Sequence, residues 1–162
     1  MIFAKDLDTK ILHKHLDFLK SIFLEKLESL KAITTKKNVI FLSQNIIDEY
    51  KISPSLFRNK LFEIRNEFTH RGYTFFIKPH PLENTSYYKG QFDIIDKTIP
   101  SELLDIYFGD KETIYITFFS TVILNLQFGK KYLIGDIGFG ENERSIIDLL
   151  YEKYKIPFLL IK

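Results

Sequence analysis

Short apolar segments alternate with longer, more polar segments along most of this 162-residue chain. The apolar segments have the length of buried strands and are rich in Ile, Phe and Leu: 38–43, 73–77, 92–95, 113–118, 131–134 and 157–161. Strands that are separated by helices pair in parallel, because each helix returns the chain to the same end of the sheet. The sequence therefore predicts an α/β fold with one parallel sheet and helices on both faces.

The segments between the strands carry helix signals. Ser53 and Pro54 predict a helix start, with Ser53 as N-cap and the proline in the first turn. Apolar residues at helical spacing predict its buried stripe, and Gly72 its end: Phe57, Leu61, Ile64 and Phe68. Further helices are expected over residues 101–108, 120–129 and 141–154, with loops over 44–52 and 83–91.

The N-terminal segment has the pattern of one amphipathic helix over residues 7–31. One face is apolar: Leu12, Leu16, Leu19, Phe23, Leu27 and Leu30. The opposite face is mostly basic: Lys10, Lys14, Lys20, Glu25 and Lys26. We expect a helical segment over 1–33 and a nucleotide-binding domain over 34–162. The apolar face packs on protein in one interpretation and lies on an anionic membrane surface in the other.

Composition excludes several classes of protein. Hydrophobic residues make up 45% and charged residues 27%, as in globular domains rather than disordered chains. The absence of cysteine excludes disulfides and thiolate metal sites, and a net charge of +2 is too small to indicate nucleic-acid binding. Without an 18-residue apolar run or a signal-peptide pattern, we expect a cytoplasmic protein, with peripheral contact to the inner membrane left open.

Two polar motifs follow predicted strands and indicate a ligand site. His80 stands between Pro79 and Pro81 directly after the strand 73–77, on a backbone that the prolines stiffen. Ser120 and Thr121 lie where the strand 113–118 meets the next predicted helix, whose first N–H groups could bind a phosphate. Because ligands of parallel sheets bind beyond the carboxyl ends of the strands, both motifs should face one phosphate-bearing ligand.

Three charged residues near the same edge have two interpretations each. Lys78 is either a solvated charge or a neighbour of the phosphate. Glu102 either favours the dipole of the helix it begins or accepts hydrogen bonds from ribose hydroxyls. Asp48, in the predicted loop after the first strand, is either a solvated charge or a general base.

Three short motifs in this order resemble the C-terminal half of bacterial sialyltransferases: Lys78-Pro79-His80-Pro81, Ile99-Pro100-Ser101-Glu102 and Phe118-Phe119-Ser120-Thr121. The resemblance covers roughly residues 38–135 and is closest to the lipooligosaccharide sialyltransferases, glycosyltransferase family 52. It implies a GT-B enzyme with two Rossmann-like domains, of which the C-terminal one binds a CMP-sugar. By this resemblance His80, Pro81, Ser120 and Thr121 contact the CMP phosphate, and Glu102 lies near the ribose or cytosine.

The resemblance also implies a reaction and its partners. We expect an inverting transfer of sialic acid from CMP-sialic acid to a galactose-terminated glycan, with neither metal nor cofactor. His80 would stabilise the departing CMP, Lys78 would lie near its phosphate, and Asp48 is our choice for the base. A complete GT-B enzyme has a second domain, so we expect a missing N-terminal domain or a dimer to complete the site. A transferase of CMP-Kdo or a CDP-polyol, and a non-catalytic nucleotide-binding or assembly module, remain alternatives.

Overall fold

Five parallel strands form one sheet at the centre of this computed structural model. The structure describes residues 18, 21–28, 30, 36–50, 52–109, 112–135, 137 and 139–160. The strands are β1 (Lys37–Leu42), β2 (Thr74–Lys78), β3 (Asp93–Ile94), β4 (Glu112–Thr117) and β5 (Lys130–Leu133). They lie in the order β3-β2-β1-β4-β5, which matches the first five strands of the Rossmann order 3-2-1-4-5-6. The predicted α/β, Rossmann-like class is confirmed.

Four α-helices with both ends described surround the sheet: α1 (Ile46–Tyr50), α2 (Pro54–His70), α3 (Ser101–Tyr107) and α4 (Glu141–Glu152). The connection from β1 to β2 runs towards one edge of the sheet, and the connection from β3 to β4 runs back towards the other. Right-handed crossovers in opposite directions place α2 and α3 on opposite faces. The sheet is therefore covered on both sides, as its apolar strands require.

Aromatic rings fill the layers between the sheet and the helices. Phe41 of β1 contacts Phe57 of α2, with ring centroids 6.1 Å apart. On the other face, Phe76 of β2 contacts Phe108, which directly follows α3, at 6.4 Å. None of these four rings is more than 1% exposed. The predicted stripe of α2 is buried as expected.

Several predicted boundaries are wrong. The expected loop 44–52 contains α1, and the expected polar loop 83–91 contains a one-turn 3₁₀-helix, Thr85–Tyr87. The expected last strand, 157–161, pairs only through an isolated bridge between Phe158 and Leu133. Ser53 occupies the N-cap position of α2, but its side chain caps no backbone amide and instead lies 2.8 Å from the hydroxyl of Ser55.

The predicted helix over 120–129 is only the 3₁₀ turn Thr121–Leu124. The buried carboxylate of Asp105, on α3, accepts hydrogen bonds from the backbone amides of Gln127 and Phe128. Those amides are thus satisfied by a side chain from another element instead of by a helix ladder. Gly129 then turns the chain into β5 at φ +72°, where Thr113 O would lie 2.8 Å from an added Cβ.

The N-terminal helix is described only in part. Residues 18, 21–28 and 30 are helical, and the rest of the predicted span 7–31 lies outside the described residues. Leu27 and Leu30 are 6% and 4% exposed in the core, whereas Phe18 and Ile22 are 64% and 55% exposed. Among the described residues, no helix combines the length and apolar character needed to cross a bilayer.

Candidate functional site

The loops after β1, β2 and β4 emerge side by side at the carboxyl edge of the sheet. Leu42 pairs with Lys78, and Phe41 pairs with Ile116, so these strands end in register. The chain leaves β1 towards β2 on one side, and β4 lies on the other side of β1. The crevice between β1 and β4 is therefore the topological switch point, where open α/β sheets bind their ligands.

His80 lies in a tight turn beyond the end of β2. The turn is closed by a backbone hydrogen bond from Glu83 N to His80 O, 3.0 Å long. The imidazole is fixed as well, because its Nδ1 accepts the Leu82 amide at 3.3 Å. A neutral ring that accepts at Nδ1 carries its proton on Nε2. His80 thus presents a partly buried N–H donor at the edge where a ligand would bind.

Glu83 anchors this turn, although its role was not predicted from the sequence. Its carboxylate is buried, with Oε2 accepting the His80 amide at 3.0 Å. Oε1 accepts the hydroxyl of Ser43, after β1, at 2.8 Å, and also that of Tyr88. Burial raises the pKa of Glu83, although the three hydrogen bonds oppose the shift. The available signal was spacing, since a carboxylate three residues after His80 can reach back to its amide.

Lys78 is buried, so the solvated interpretation is wrong. Its side chain is 5% exposed and donates to Pro79 O at 3.0 Å and to Lys97 O at 3.1 Å. Burial lowers the pKa of this amine to about 8, against the opposing charges of Asp96, Glu102 and Glu83. Lys78 therefore lies beneath the surface of the edge and ties the end of β2 to the loop before α3.

Ser120 and Thr121 follow β4 at the same edge as His80. The Ser120 amide donates to Thr117 Oγ1 at 3.0 Å, and that hydroxyl donates in turn to Leu42 O at 3.0 Å. Ser120 is thereby held against the end of β1, and its own hydroxyl caps no amide of the turn. Thr121 is exposed. A single 3₁₀ turn stands here in place of the α-helix N-terminus expected from the sequence.

Asp48 and Glu102 lie on the flanks of this edge. Asp48 is exposed on α1 and accepts the hydroxyl of Tyr87 at 3.0 Å. Glu102, in the first turn of α3, accepts the side-chain amide of Asn125 at 3.3 Å. Asp48 acts electrostatically on Glu83, and Glu102 on Lys78, so both are neighbours of the buried groups. The described residues contain no group of three His, Asp or Glu placed to hold a metal ion.

A groove of about 520 Å³ lies elsewhere, at the amino end of β2. It is lined by Tyr73 and Thr74 from the start of β2, by Arg65 of α2 and by residues 90–93. Two of its lining residues are hydrogen-bonded, since Arg65 donates to Gln91 O at 2.8 Å. No sequence motif falls there, and the groove is remote from the switch point.

One family of known proteins matches most of the chain. The sequence model of glycosyltransferase family 52 matches residues 2–134, which include His80, Glu102, Ser120 and Thr121. No curated protein and no solved structure matches the chain significantly. The match extends over most of the chain and over all five strands, with the motifs placed at one sheet edge. The chain belongs to glycosyltransferase family 52, whose members are sialyltransferase-like glycosyltransferases.

Proposed function

We propose that this domain binds CMP-sialic acid as the donor of an inverting, metal-independent sialyltransferase acting on a galactose-terminated glycan. The observation that carries the proposal is the placement of His80 and Ser120 beyond strands that flank β1. Adjacent strands lie about 4.8 Å apart, so β2 and β4 are separated by about 10 Å. A phosphate that accepts hydrogen bonds from both side chains fits across that gap.

In the proposed reaction, a galactose hydroxyl oxygen attacks the anomeric carbon of the donor while the bond from that carbon to the CMP phosphate oxygen breaks. The transition state is oxocarbenium-like, as in other glycosyl chemistry, and negative charge grows on the departing phosphate. His80 Nε2–H and the Ser120 hydroxyl would donate hydrogen bonds to that phosphate. Asp48 would take the proton of the attacking hydroxyl.

The acceptor side of the site is proposed to come from a second GT-B domain or a second copy of the chain. Asp48 is exposed and would face such a partner across the donor. Two domains closing on donor and acceptor would hold the reacting atoms in line. The acceptor glycan would belong to a lipooligosaccharide or a capsule, and CMP-Kdo and CDP-polyols are the alternative donors.

A second candidate function is a non-catalytic assembly module. The observation in its favour is the exposure of Phe18 and Ile22 on the N-terminal helical segment. Apolar side chains exposed together on a helix favour contact with another protein or a membrane. Nucleotide binding without transfer or donor hydrolysis, even with the complementing domain present, would favour this candidate.

Calorimetric titration tests the donor. We expect CMP and CMP-sialic acid to bind and UDP to bind much more weakly, because the motifs at the carboxyl edge resemble those of CMP-sugar enzymes. CDP separates recognition of the base from recognition of the phosphates. Equal binding of CMP and UDP, or binding of neither, would contradict the proposal.

Chelation tests the independence from metal. We expect CMP affinity to be unchanged in EDTA, because hydrogen-bond donors of the protein would balance the phosphate charge. The control is the same titration after adding Mg²⁺ or Mn²⁺ in excess of the chelator. An affinity that falls in EDTA and returns with either ion would show that a metal takes part.

A further inference from the structure

A buried carboxylate joins the loops after β1 and β2. Glu83 is 2% exposed and accepts three hydrogen bonds: from the His80 amide, the Ser43 hydroxyl and the Tyr88 hydroxyl. Ser43 N also donates to Lys78 O at 2.9 Å, so the two loops begin as neighbours. Glu83 thus fixes the two chain segments that lie side by side at the switch point.

A chain of hydrogen bonds links the Glu83 carboxylate to the His80 imidazole. Glu83 and His80 bond reciprocally, since Glu83 N donates to His80 O and His80 N donates to Glu83 Oε2. Within that turn, the Leu82 amide donates to His80 Nδ1. The ring position and its tautomer therefore depend on the turn, and the turn depends on the carboxylate.

A buried carboxylate is a costly way to close a turn. The hydroxyls and the amide that donate to the Glu83 carboxylate are neutral. Lys97 Nζ contacts the Glu83 backbone oxygen at 3.3 Å, and the ammonium of Lys78, which interacts electrostatically with Glu83, donates to Pro79 O and Lys97 O. An apolar side chain of similar volume would avoid the desolvation of a charge. Perturbed buried carboxylates cluster at functional sites, where geometry matters more than stability.

We propose that Glu83 is the positioning residue of the donor site, which holds the His80 turn so that Nε2–H faces the donor phosphate. The inference rests on the proposed function for the identity of the ligand, but not for the geometry. Glu83 itself does not contact the donor and acts through His80.

The test compares three variants by two measurements. Glu83→Met keeps the side-chain volume but leaves the His80 amide without its acceptor. Glu83→Gln can accept from His80 N–H through its oxygen and donate to the two hydroxyls. Glu63→Met is the matched control, because Glu63 is exposed on α2 and pairs only with Lys60 among the described residues. The measurements are the His80 tautomer by ¹⁵N NMR at about pH 8.5, where imidazoles are neutral, and CMP affinity by calorimetry.

We expect Glu83→Met to lose the Nε2–H preference of His80 and to bind CMP about tenfold more weakly. Glu83→Gln should stay within about threefold of the wild type, and Glu63→Met should match the wild type in both measurements. In a His80→Ala background, Glu83→Met should change CMP affinity by less than about twofold, since the effect passes through the imidazole.

An unchanged tautomer and affinity in Glu83→Met would overturn the inference, as would an equal loss of affinity in both His80 backgrounds. If Glu83→Met does not fold, Tyr88→Phe decides, because it removes one donor to the carboxylate and keeps the ring packed against Phe57. In Tyr88→Phe, a smaller loss of the His80 Nε2–H preference and of CMP affinity would support the inference, and no change in either would overturn it. If the wild type does not bind CMP, the proposed function fails, while the tautomer still decides the role of Glu83.

Discussion

His80→Ala should weaken CMP binding about 10–100-fold while the domain stays folded. One hydrogen bond to a charged phosphate contributes about 1.5–3 kcal/mol, which is the size of the expected loss. The fold should persist because His80 is only partly buried and its neighbours Pro81 and Leu82 are exposed. Calorimetry gives the affinity, and thermal unfolding measured by circular dichroism checks the fold.

The matched control is His70→Ala, which removes an exposed imidazole at the end of α2 and should leave CMP affinity unchanged. Ser120→Ala should lower affinity less than His80→Ala, because a neutral hydroxyl is the weaker donor. The double variant should lose less than the sum of the two single losses, if both side chains donate to one phosphate. Strictly additive losses would place the two residues at separate parts of the ligand.

Lys78 should make the domain more stable as the pH rises from 7 to 9.5. Burial lowers its pKa from 10.5 to about 8 in the folded state. Between these values the unfolded chain holds a proton that the folded one has released, so the free energy of unfolding increases with pH. From pH 7 to pH 9.5 the expected gain from Lys78 alone is about 2 kcal/mol.

The measurement is urea unfolding of the wild type and Lys78→Met across this pH range, with the difference between them taken at each pH. The free energy of unfolding of the wild type, minus that of Lys78→Met, should rise by about 2 kcal/mol from pH 7 to pH 9.5. Tyr73, whose pKa burial raises to about 12, contributes with the opposite sign at higher pH, but its contribution is common to both proteins and cancels in the difference. Lys89→Met, at an exposed lysine, is the control and should parallel the wild type. A constant difference between wild type and Lys78→Met would show that the Lys78 ammonium is not desolvated.

The parallel sheet was predictable because each strand is a compact apolar run between helix signals. The ends of helices that depend on contacts with distant residues could not be predicted from the sequence. The helix expected after Ser120 ends after one turn because Asp105, some twenty residues earlier, takes the Gln127 and Phe128 amides. Nothing in the local sequence shows that contact, and the local apolar pattern still favours a helix.

The candidate site also has features that were predictable from the sequence and features that were not. The location of His80 and Ser120 followed from their positions after strands, since all parallel strands end at one edge. The burial of Lys78 and Glu83 did not, because a charged residue beside Ile77 or Leu82 in the sequence gives no sign that distant residues will cover it. Glu83 is buried by Ser43, forty residues before it, and by the packed ring of Tyr88. Only the assembled sheet brings these groups together.

A two-dimensional ¹H–¹⁵N NMR titration of the folded domain with CMP tests the location of the donor site most directly. We expect shifts concentrated at the carboxyl edge, at Ser43, His80 and Ser120, and a perturbed His80 Nε2 resonance. The groups at the opposite edge, Tyr73 and Glu112, should not respond. Shifts confined to the groove beside Arg65 and Gln91, or no response to CMP at any residue, would contradict a donor site at the carboxyl edge.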